Sequence, residues 1–223
     1  MSAKVIPQAF PVPLLSEDVV RMVQADLQTE CSNWLDIIYP IAYTGEEIVK
    51  DRLVAKEKTT DPVFRDRVRK FPKVYPNDGR KDYIDVSPSD KYKGSVFFEV
   101  PNDFRLDRIN DSMDIEVSLI FHVNMPKIDS ERAYDFRTEL ASDAARCLNE
   151  GALSAYIEEL DFEFNYERIY ERYDFQGTSN KSRRAETEAQ QFMYPYTSFK
   201  ITFSLNGYCL DIDCLPKFEI TNC

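Results

Sequence analysis

Residues Asp114–Asn124 read DIEVSLIFHVN, and this stretch decides the fold because apolar and polar residues alternate along most of it. A period of two puts successive side chains on opposite faces of a β-strand. The apolar face carries Ile115, Val117, Leu119, Phe121 and Val123, and the polar face carries Glu116, Ser118, His122 and Asn124. We therefore predict a strand with one buried face and a polar face that turns to solvent or to an interface.

A helix is predicted to follow this strand directly, over about Ser130–Glu150. Pro126 ends the strand, and Asp129 or Ser130 can cap the helix. The expected apolar stripe consists of Ala133, Phe136, Leu140, Ala144, Cys147 and Leu148. Helical spacing places these residues on one side of the helix, which should pack across the sheet.

Weaker patterns describe the rest of the chain. Residues 1–15 contain Pro7, Pro11 and Pro13, which forbid a regular helix and predict an extended arm. Trp34–Tyr43 has Pro40 in its middle and suits an edge or bulged strand, whereas the highly charged Thr44–Lys73 predicts a solvated helix or a loop. The other predicted elements are a helix at Glu17–Asn33, a hairpin at Val74–Val86 around Asn77-Asp78-Gly79, strands at Ser95–Val100, from about Leu160 and at Ser198–Leu205, and a turn at Asn206-Gly207.

Together these elements predict one α+β domain over residues 16–208, in which a helix packs across a mainly antiparallel sheet. The strongly polar segment 176–189 should form an exposed loop within that domain. Residues 209–223 should form a C-terminal tail.

The charge of the chain argues against tight nucleic-acid binding. Its 223 residues carry a formal net charge of -11, whereas sequence-independent binding of nucleic acid depends on Lys and Arg against phosphate. The five cysteines include no CxxC pair, the first ten residues lack a signal-peptide core, and no apolar run has the roughly 20 residues of a membrane span. We therefore expect a reduced, cytosolic chain that does not enter a membrane.

The sequence contains few groups that could perform catalysis. His122 is the only histidine, the six glycines are isolated, and no lysine has Asp or Glu two positions before it. These facts exclude His-rich zinc centres, Walker loops, dinucleotide-binding glycine motifs and the (D/E)xK nuclease half-motif. We predict no catalytic residue, cofactor or metal. A carboxylate-dependent metal enzyme built on Asp78, Asp82 and Asp85 is the alternative.

The order of the predicted elements resembles that of tail-terminator and neck proteins of tailed bacteriophages. The resemblance covers about residues 34–205, and it extends to structural proteins from phages of Bacteroidetes hosts, including the crAss-like group. The segments that carry it are Ile38–Gly45 (IYPIAYTG), Tyr75–Val86 (YPNDGRKDYIDV), Phe97–Val100 and Asp114–His122.

This resemblance implies a non-enzymatic virion protein, assembled in the host cytoplasm, that forms a homo-oligomeric ring between portal and tail. Portal, neck or tail proteins would be its neighbours, and DNA would pass through the lumen without tight binding because an acidic ring repels it. The N-terminal arm and the long polar loop would reach neighbouring subunits. The expected interface residues are Pro7, Pro11, Pro13, Phe175, Arg183, Arg184 and Tyr194. A cytoplasmic module that binds a host protein is a further alternative.

Overall fold

A computed structural model describes residues 3–6, 14–31, 33–53, 63–75, 83–86, 89, 91–100, 105–107, 112–132, 135–170, 172–173 and 196–209. The strands are β1 Lys4–Val5, β2 Ile37–Ile41, β3 Tyr43–Leu53, β4 Val63–Val74, β5 Ile84–Asp85, β6 Gly94–Glu99, β7 Arg105–Asp107, β8 Ser112–Asn124, β9 Ile157–Glu163 and β10 Tyr196–Cys209. The helices are α1 Leu14–Glu30, α2 Met125–Ile128, α3 Arg137–Glu150 and α4 Tyr166–Ile169.

Seven strands of the described ranges form one sheet, with β8 near its centre. The strand order is β1-β2-β6-β8-β10-β9, and β7 also pairs with β8. β1, β2 and β6 are parallel, whereas β8 is antiparallel to β6, β7 and β10, and β10 is antiparallel to β9. The chain is thus a mixed α/β protein with a mostly antiparallel sheet and few helices, which agrees with the predicted fold class at that level.

α1 and α3 cover one face of this sheet. The predicted apolar face of β8 is confirmed, because all five of its residues are at most 2% exposed. The helices contribute Val19, Val20, Val23 and Leu27 from α1 and Leu140, Ala144, Cys147 and Leu148 from α3. Each large apolar side chain buried here stabilises the fold by about 1.5–3 kcal/mol.

Trp34 joins the helix layer to the sheet. It lies three residues after Cys31 at the end of α1, and its ring centroid is 5.8 Å from that of Phe121 on β8. Phe121 in turn stacks on Phe199 of β10, with 4.6 Å between centroids. The Trp34 Nε1–H donates to Asp143 Oδ2 at 2.8 Å, so α3 satisfies the polar end of the ring.

Cys31 and Cys147 bring the C-terminal ends of α1 and α3 together. Their Sγ atoms lie 3.3 Å apart, and both residues are buried free thiols. The hydrogen bond with Cys147, and then burial, raise the pKa of Cys31 because both disfavour the thiolate. The pair therefore packs as two small, largely apolar groups.

The opposite face of the sheet is covered as well, so the described chain has three layers. A second apolar cluster lies on this side, and a large part of its cover comes from Ile169 at the end of α4 and from Tyr170 and Tyr173 beyond it. The small sheet, in the order β3-β4-β5, also contributes to the cluster through residues at its β4–β5 end. The cluster consists of Ile6, Ile37, Tyr39, Val74, Val86, Phe97, Ile120, Ile169, Tyr170 and Tyr173.

β3 and β4 form a long antiparallel ribbon, and our prediction of a solvated helix or loop over Thr44–Lys73 is wrong. The pairing runs from Tyr43 opposite Lys73 to Leu53 opposite Val63. Mixed charges suggested an exposed helix or loop, but in the ribbon residues of opposite charge occupy paired positions on the two strands, such as Glu46 and Lys70. Cross-strand pairs of opposite charge favour such pairing.

The predicted hairpin at Val74–Val86 is confirmed by its paired ends. β5 pairs antiparallel with the last two residues of β4, Lys73 and Val74. The expected turn residues Asn77-Asp78-Gly79 lie outside the described residues.

Three predicted boundaries differ from the structure. α3 begins at Arg137 rather than near Ser130, since Asp129 Oδ1 accepts the N–H of Glu131 in a local turn instead of capping the helix. Asn206-Gly207 is not a turn: β10 continues through it, with a register shift between Leu205 and Tyr208 that is typical of a β-bulge. β2 has a register shift between Ile38 and Ile41, around Pro40, as expected for a bulged strand, but it lies between β1 and β6 rather than at an edge.

Candidate functional site

The polar face of β8 is not an open surface, which corrects our expectation for it. Ser118, His122 and Asn124 are only 3%, 3% and 6% exposed, whereas Glu116 is exposed. The covering groups come from segments distant in sequence, so the alternation of β8 alone could not reveal them. Only Glu116 of this face is available to solvent or to a partner.

The buried part of this face forms two rungs across β6, β8 and β10, which we call the polar ladder. One rung consists of Ser95, His122 and Ser198, and the other of Glu99, Ser118 and Thr202. The hydroxyls of Ser118 and Thr202 are 2.9 Å apart. Buried polar groups of this kind fix a particular strand register, because a shift would break their hydrogen bonds.

Two tyrosines cover the polar ladder and form hydrogen bonds with its residues. Tyr170 donates from its hydroxyl to Ser198 Oγ at 2.8 Å. Burial raises the pKa of Tyr173, and the adjacent Glu99 carboxylate, hydrogen-bonded to that hydroxyl, raises it further. Tyr173 therefore stays neutral, and the hydrogen bonds of the two hydroxyls hold Tyr170 and Tyr173 on the sheet.

His122 is enclosed in this layer. Its ring lies 5.6 Å, centroid to centroid, from those of Phe97 and Tyr170. Burial lowers the pKa of His122 to about 3, because the enclosed site disfavours the imidazolium. The side chain is consequently neutral at neutral pH and has the surroundings of a core histidine.

A small cavity beside His122 is too narrow for a metabolite. It has room for about one water molecule. Its lining includes Ser89, Tyr92, Ser95, His122, Asn124 and Tyr196. The geometry suits the hydration of a buried polar layer and offers no space for a substrate.

A second feature lies at the edge of the main sheet. Within the described residues β9 pairs with β10 only, so no described strand occupies its other backbone edge. Four of its seven residues are acidic, and none is basic. We call Glu158, Glu159, Asp161 and Glu163 the acidic edge.

The acidic edge has one polar and one apolar side. Glu159, Asp161 and Glu163 lie opposite Ser204, Thr202 and Lys200 of β10. Leu160 and Phe162 lie opposite Phe203 and Ile201, on the side of the helix layer. Leu160 packs against the core, whereas Phe162 is 43% exposed.

The carboxylates of the acidic edge differ in their surroundings. Glu163 accepts the Asn165 N–H at 2.6 Å, and Arg168 lies 3.4 Å away. These contacts, the Asn165 hydrogen bond first, lower the pKa of Glu163. Glu159 and Asp161 are exposed and project from the same strand. A basic partner would find these two carboxylates on the open edge.

Within the described residues the ribbon of β3 and β4 has unpaired strand edges on both sides: the outer edge of β3, which ends the small sheet, and most of the outer edge of β4. β4 pairs with β3 from Val63 to Lys73 but with β5 only at its last two residues. Its sequence, VFRDRVRKFPKV, holds five basic residues and one acidic residue. An isolated two-stranded ribbon is at best marginally stable in water, so contacts beyond its own pairing would stabilise it.

The residues that we predicted to form an assembly interface are all outside the described residues: Pro7, Pro11, Pro13, Phe175, Arg183, Arg184 and Tyr194. Lys4–Val5 of the arm does form a strand, but it pairs with β2 of its own chain. Of the carboxylates in the alternative metal site, Asp85 is exposed on β5, and Asp78 and Asp82 lie outside the described residues.

Sequence reasoning missed the acidic edge. The alternation of Leu160 and Phe162 with acidic residues indicated a strand, but only the sheet order places that strand at an edge. Across the described ranges, no group of three or more His, Cys, Asp or Glu residues could hold a metal ion. No helix in that part of the chain has the length and hydropathy needed to cross a membrane.

Comparison of the chain with protein-family models, with curated proteins and with solved structures finds no match.

Proposed function

We propose that this chain is a structural subunit that assembles into a homo-oligomeric ring, with a tail-terminator-like role in the head-to-tail connector or tail of a phage. The supporting observation is that, within the described residues, β9 and most of β4 each have a backbone edge without a paired strand, on a domain whose main sheet is covered on both faces by its own chain. Exposed strand edges readily pair with other chains.

The two edges belong to different sheets and carry opposite charge. A contact between unlike surfaces is heterologous, and repeated heterologous contacts produce either a closed ring or a filament. Self-pairing of β9 is disfavoured because it would bring carboxylates together. Ring formation therefore fits these edges better than a two-fold dimer does.

The charge of the chain supports the proposed location. A net charge of -11 per subunit is multiplied around a ring. The resulting negative field would repel DNA phosphates, so DNA could pass through a lumen without binding to its wall. Portal, neck or tail proteins would then contact the two ends of the ring.

Oligomeric state tests this proposal directly. We expect the full chain at about 100 µM to form ring particles, seen by negative-stain electron microscopy, with a mass in light scattering that is a multiple of 26.0 kDa. Antibodies against the chain should also detect it in purified virions. A chain that remains monomeric and is absent from virions, but is retained by a host protein, would instead support the binding-module alternative.

A further inference from the structure

We propose that the acidic edge of β9 in one subunit receives strand β4 of a second copy of this chain. This inference rests on the proposed ring-forming function and names the surface through which neighbouring subunits meet. The partner strand would extend the main sheet beyond β9 by β-augmentation, in which main-chain hydrogen bonds join two chains.

Backbone geometry permits this pairing. β9 is the last strand of the main sheet, and its seven residues need a partner strand of similar length. β4 provides seven residues, from Val63 to Arg69, that have β3 on one side and no paired strand on the other within the described residues. The available lengths therefore match without disturbing the ribbon.

The charge pattern indicates which strand is the partner. The acidic edge carries Glu159, Asp161 and Glu163 at alternate positions, and β4 carries Arg65, Arg67 and Arg69 at alternate positions. Alternate residues of a strand lie on one face and have the same repeat in both strands. Three pairs of opposite charges can therefore align, whether the two strands run parallel or antiparallel.

Other charges in both copies reduce this attraction but do not reverse it. Glu47 and Asp51 of β3 lie opposite Arg69 and Arg65 in the register of the ribbon. On the receiving side, Lys200 lies opposite Glu163, and Arg168 is 3.4 Å from it. Glu159 and Asp161 have no such cation opposite them on β10, so they should contribute most.

Phe162 gives β9 an apolar reason to accept a further strand. It is 43% exposed in the single chain, on the side of β9 away from Glu159 and Asp161. A partner strand beside it would remove part of its ring from water. Because Asp66 lies between Phe64 and Val68 in the alternation of β4, any one register brings at most one of these two apolar positions opposite Leu160 or Phe162.

Charge reversal tests the proposal with full-length protein. One variant carries E159K and D161K, which makes β9 basic, and the other carries R65E, R67E and R69E, which makes β4 acidic. Each variant alone should lose at least 10-fold in assembly, measured as the concentration at which half of the subunits are oligomeric in light scattering. E131K with E150K is the matched control, because it reverses two exposed carboxylates outside the edge and should assemble like the wild type.

Complementation separates an interface from a folding defect. Mixing the two variants should restore assembly, since the basic β9 of one then meets the acidic β4 of the other. A single chain that carries all five changes should likewise assemble by itself. Circular dichroism spectra and thermal melts of each variant at low concentration report whether its fold is intact.

The outcomes distinguish this inference from the proposed function. Oligomers that persist in both variants as in the wild type would overturn the β9–β4 interface alone. So would variants that are folded by circular dichroism but whose loss of assembly is not restored in the mixture or in the five-change chain. A wild-type chain that stays monomeric would overturn the ring and the interface together.

Discussion

One buried side chain, His122, should contribute to the destabilisation of this protein by acid. Burial lowers the pKa of His122 from 6.5 to about 3 in the folded chain. Between these two values the unfolded chain binds a proton that the folded chain does not, so the free energy of unfolding falls as the pH falls through this window. Above about pH 6.5 both states are neutral at this position, and the effect vanishes.

The size of the effect follows from the difference in pKa. Each pKa unit corresponds to about 1.4 kcal/mol, so lowering the pH from 7.5 to 4.5 should cost about 2–3 kcal/mol through His122 alone. Carboxylates such as Glu163, whose pKa is also lowered, add a further loss at low pH. That further loss should be the same in a variant that lacks the imidazole.

His122→Gln isolates the contribution of the imidazole. Urea unfolding can be followed by the fluorescence of the single tryptophan, Trp34, which is 2% exposed. We expect the loss of unfolding free energy between pH 7.5 and pH 4.5 to be about 2–3 kcal/mol larger for the wild type than for the variant, both at a concentration where the chain is monomeric. Equal losses would refute the assignment of His122 as a neutral, buried side chain.

Three other substitutions test the packing of the sheet. Gly94→Ala should destabilise the fold by about 1–3 kcal/mol in urea unfolding, because a Cβ at this position would lie 2.7 Å from the carbonyl oxygen of Trp34; unchanged stability would contradict the close approach of these two backbones. Trp34→Phe removes the 2.8 Å hydrogen bond to Asp143 and should lower the free energy of unfolding by about 1.5–3 kcal/mol. Asp143→Asn keeps an acceptor for the indole N–H and should lower it by less. A larger loss for Asp143→Asn than for Trp34→Phe would disprove the role of this bond. Phe121→Ala should lower the free energy of unfolding by about 3–5 kcal/mol, because this side chain is fully buried. Phe162→Ala should change the stability of the monomer by less than about 0.5 kcal/mol and weaken assembly instead. A large loss of monomer stability in Phe162→Ala would mean that Phe162 belongs to the core.

The sequence alone predicts whether an element is a strand or a helix where its apolar periodicity extends over many residues. β8 and β10 alternate over many residues, and α1 repeats its apolar residues at helical spacing, so their types were predicted correctly. The boundaries shifted where local hydrogen bonds decide them, as at Asp129, whose side chain closes a turn before α3. Periodicity alone contains no information about such turns.

The coverage of the second face could not be predicted in the same way. Ile120 is the one apolar residue on the polar side of β8, and it interrupts the alternation. The groups that cover this side, among them Tyr170 and Tyr173, lie about 50 residues later in the chain. A polar strand face is buried when tertiary contacts satisfy it, and those contacts are not local in sequence.

The position of the open edges likewise depends on long-range pairing. The alternating arginines of β4 were visible in the sequence, but a mixture of charges is also typical of an exposed helix. Only the pairing with β3 identifies the ribbon, and only the sheet order makes β9 an edge. The candidate interface therefore emerges from topology rather than from a motif.

The strand order also has a consequence for how the protein is made. β10 lies between β8 and β9, so the centre of the main sheet cannot close until residues up to about Leu205 have been synthesised. Until then β8, one of the most apolar strands of the chain, lacks its longest partner. Long-range pairings of this kind form slowly, and the waiting strands are prone to aggregate. Production of the protein should consequently benefit from low temperature and from chaperones that protect nascent chains.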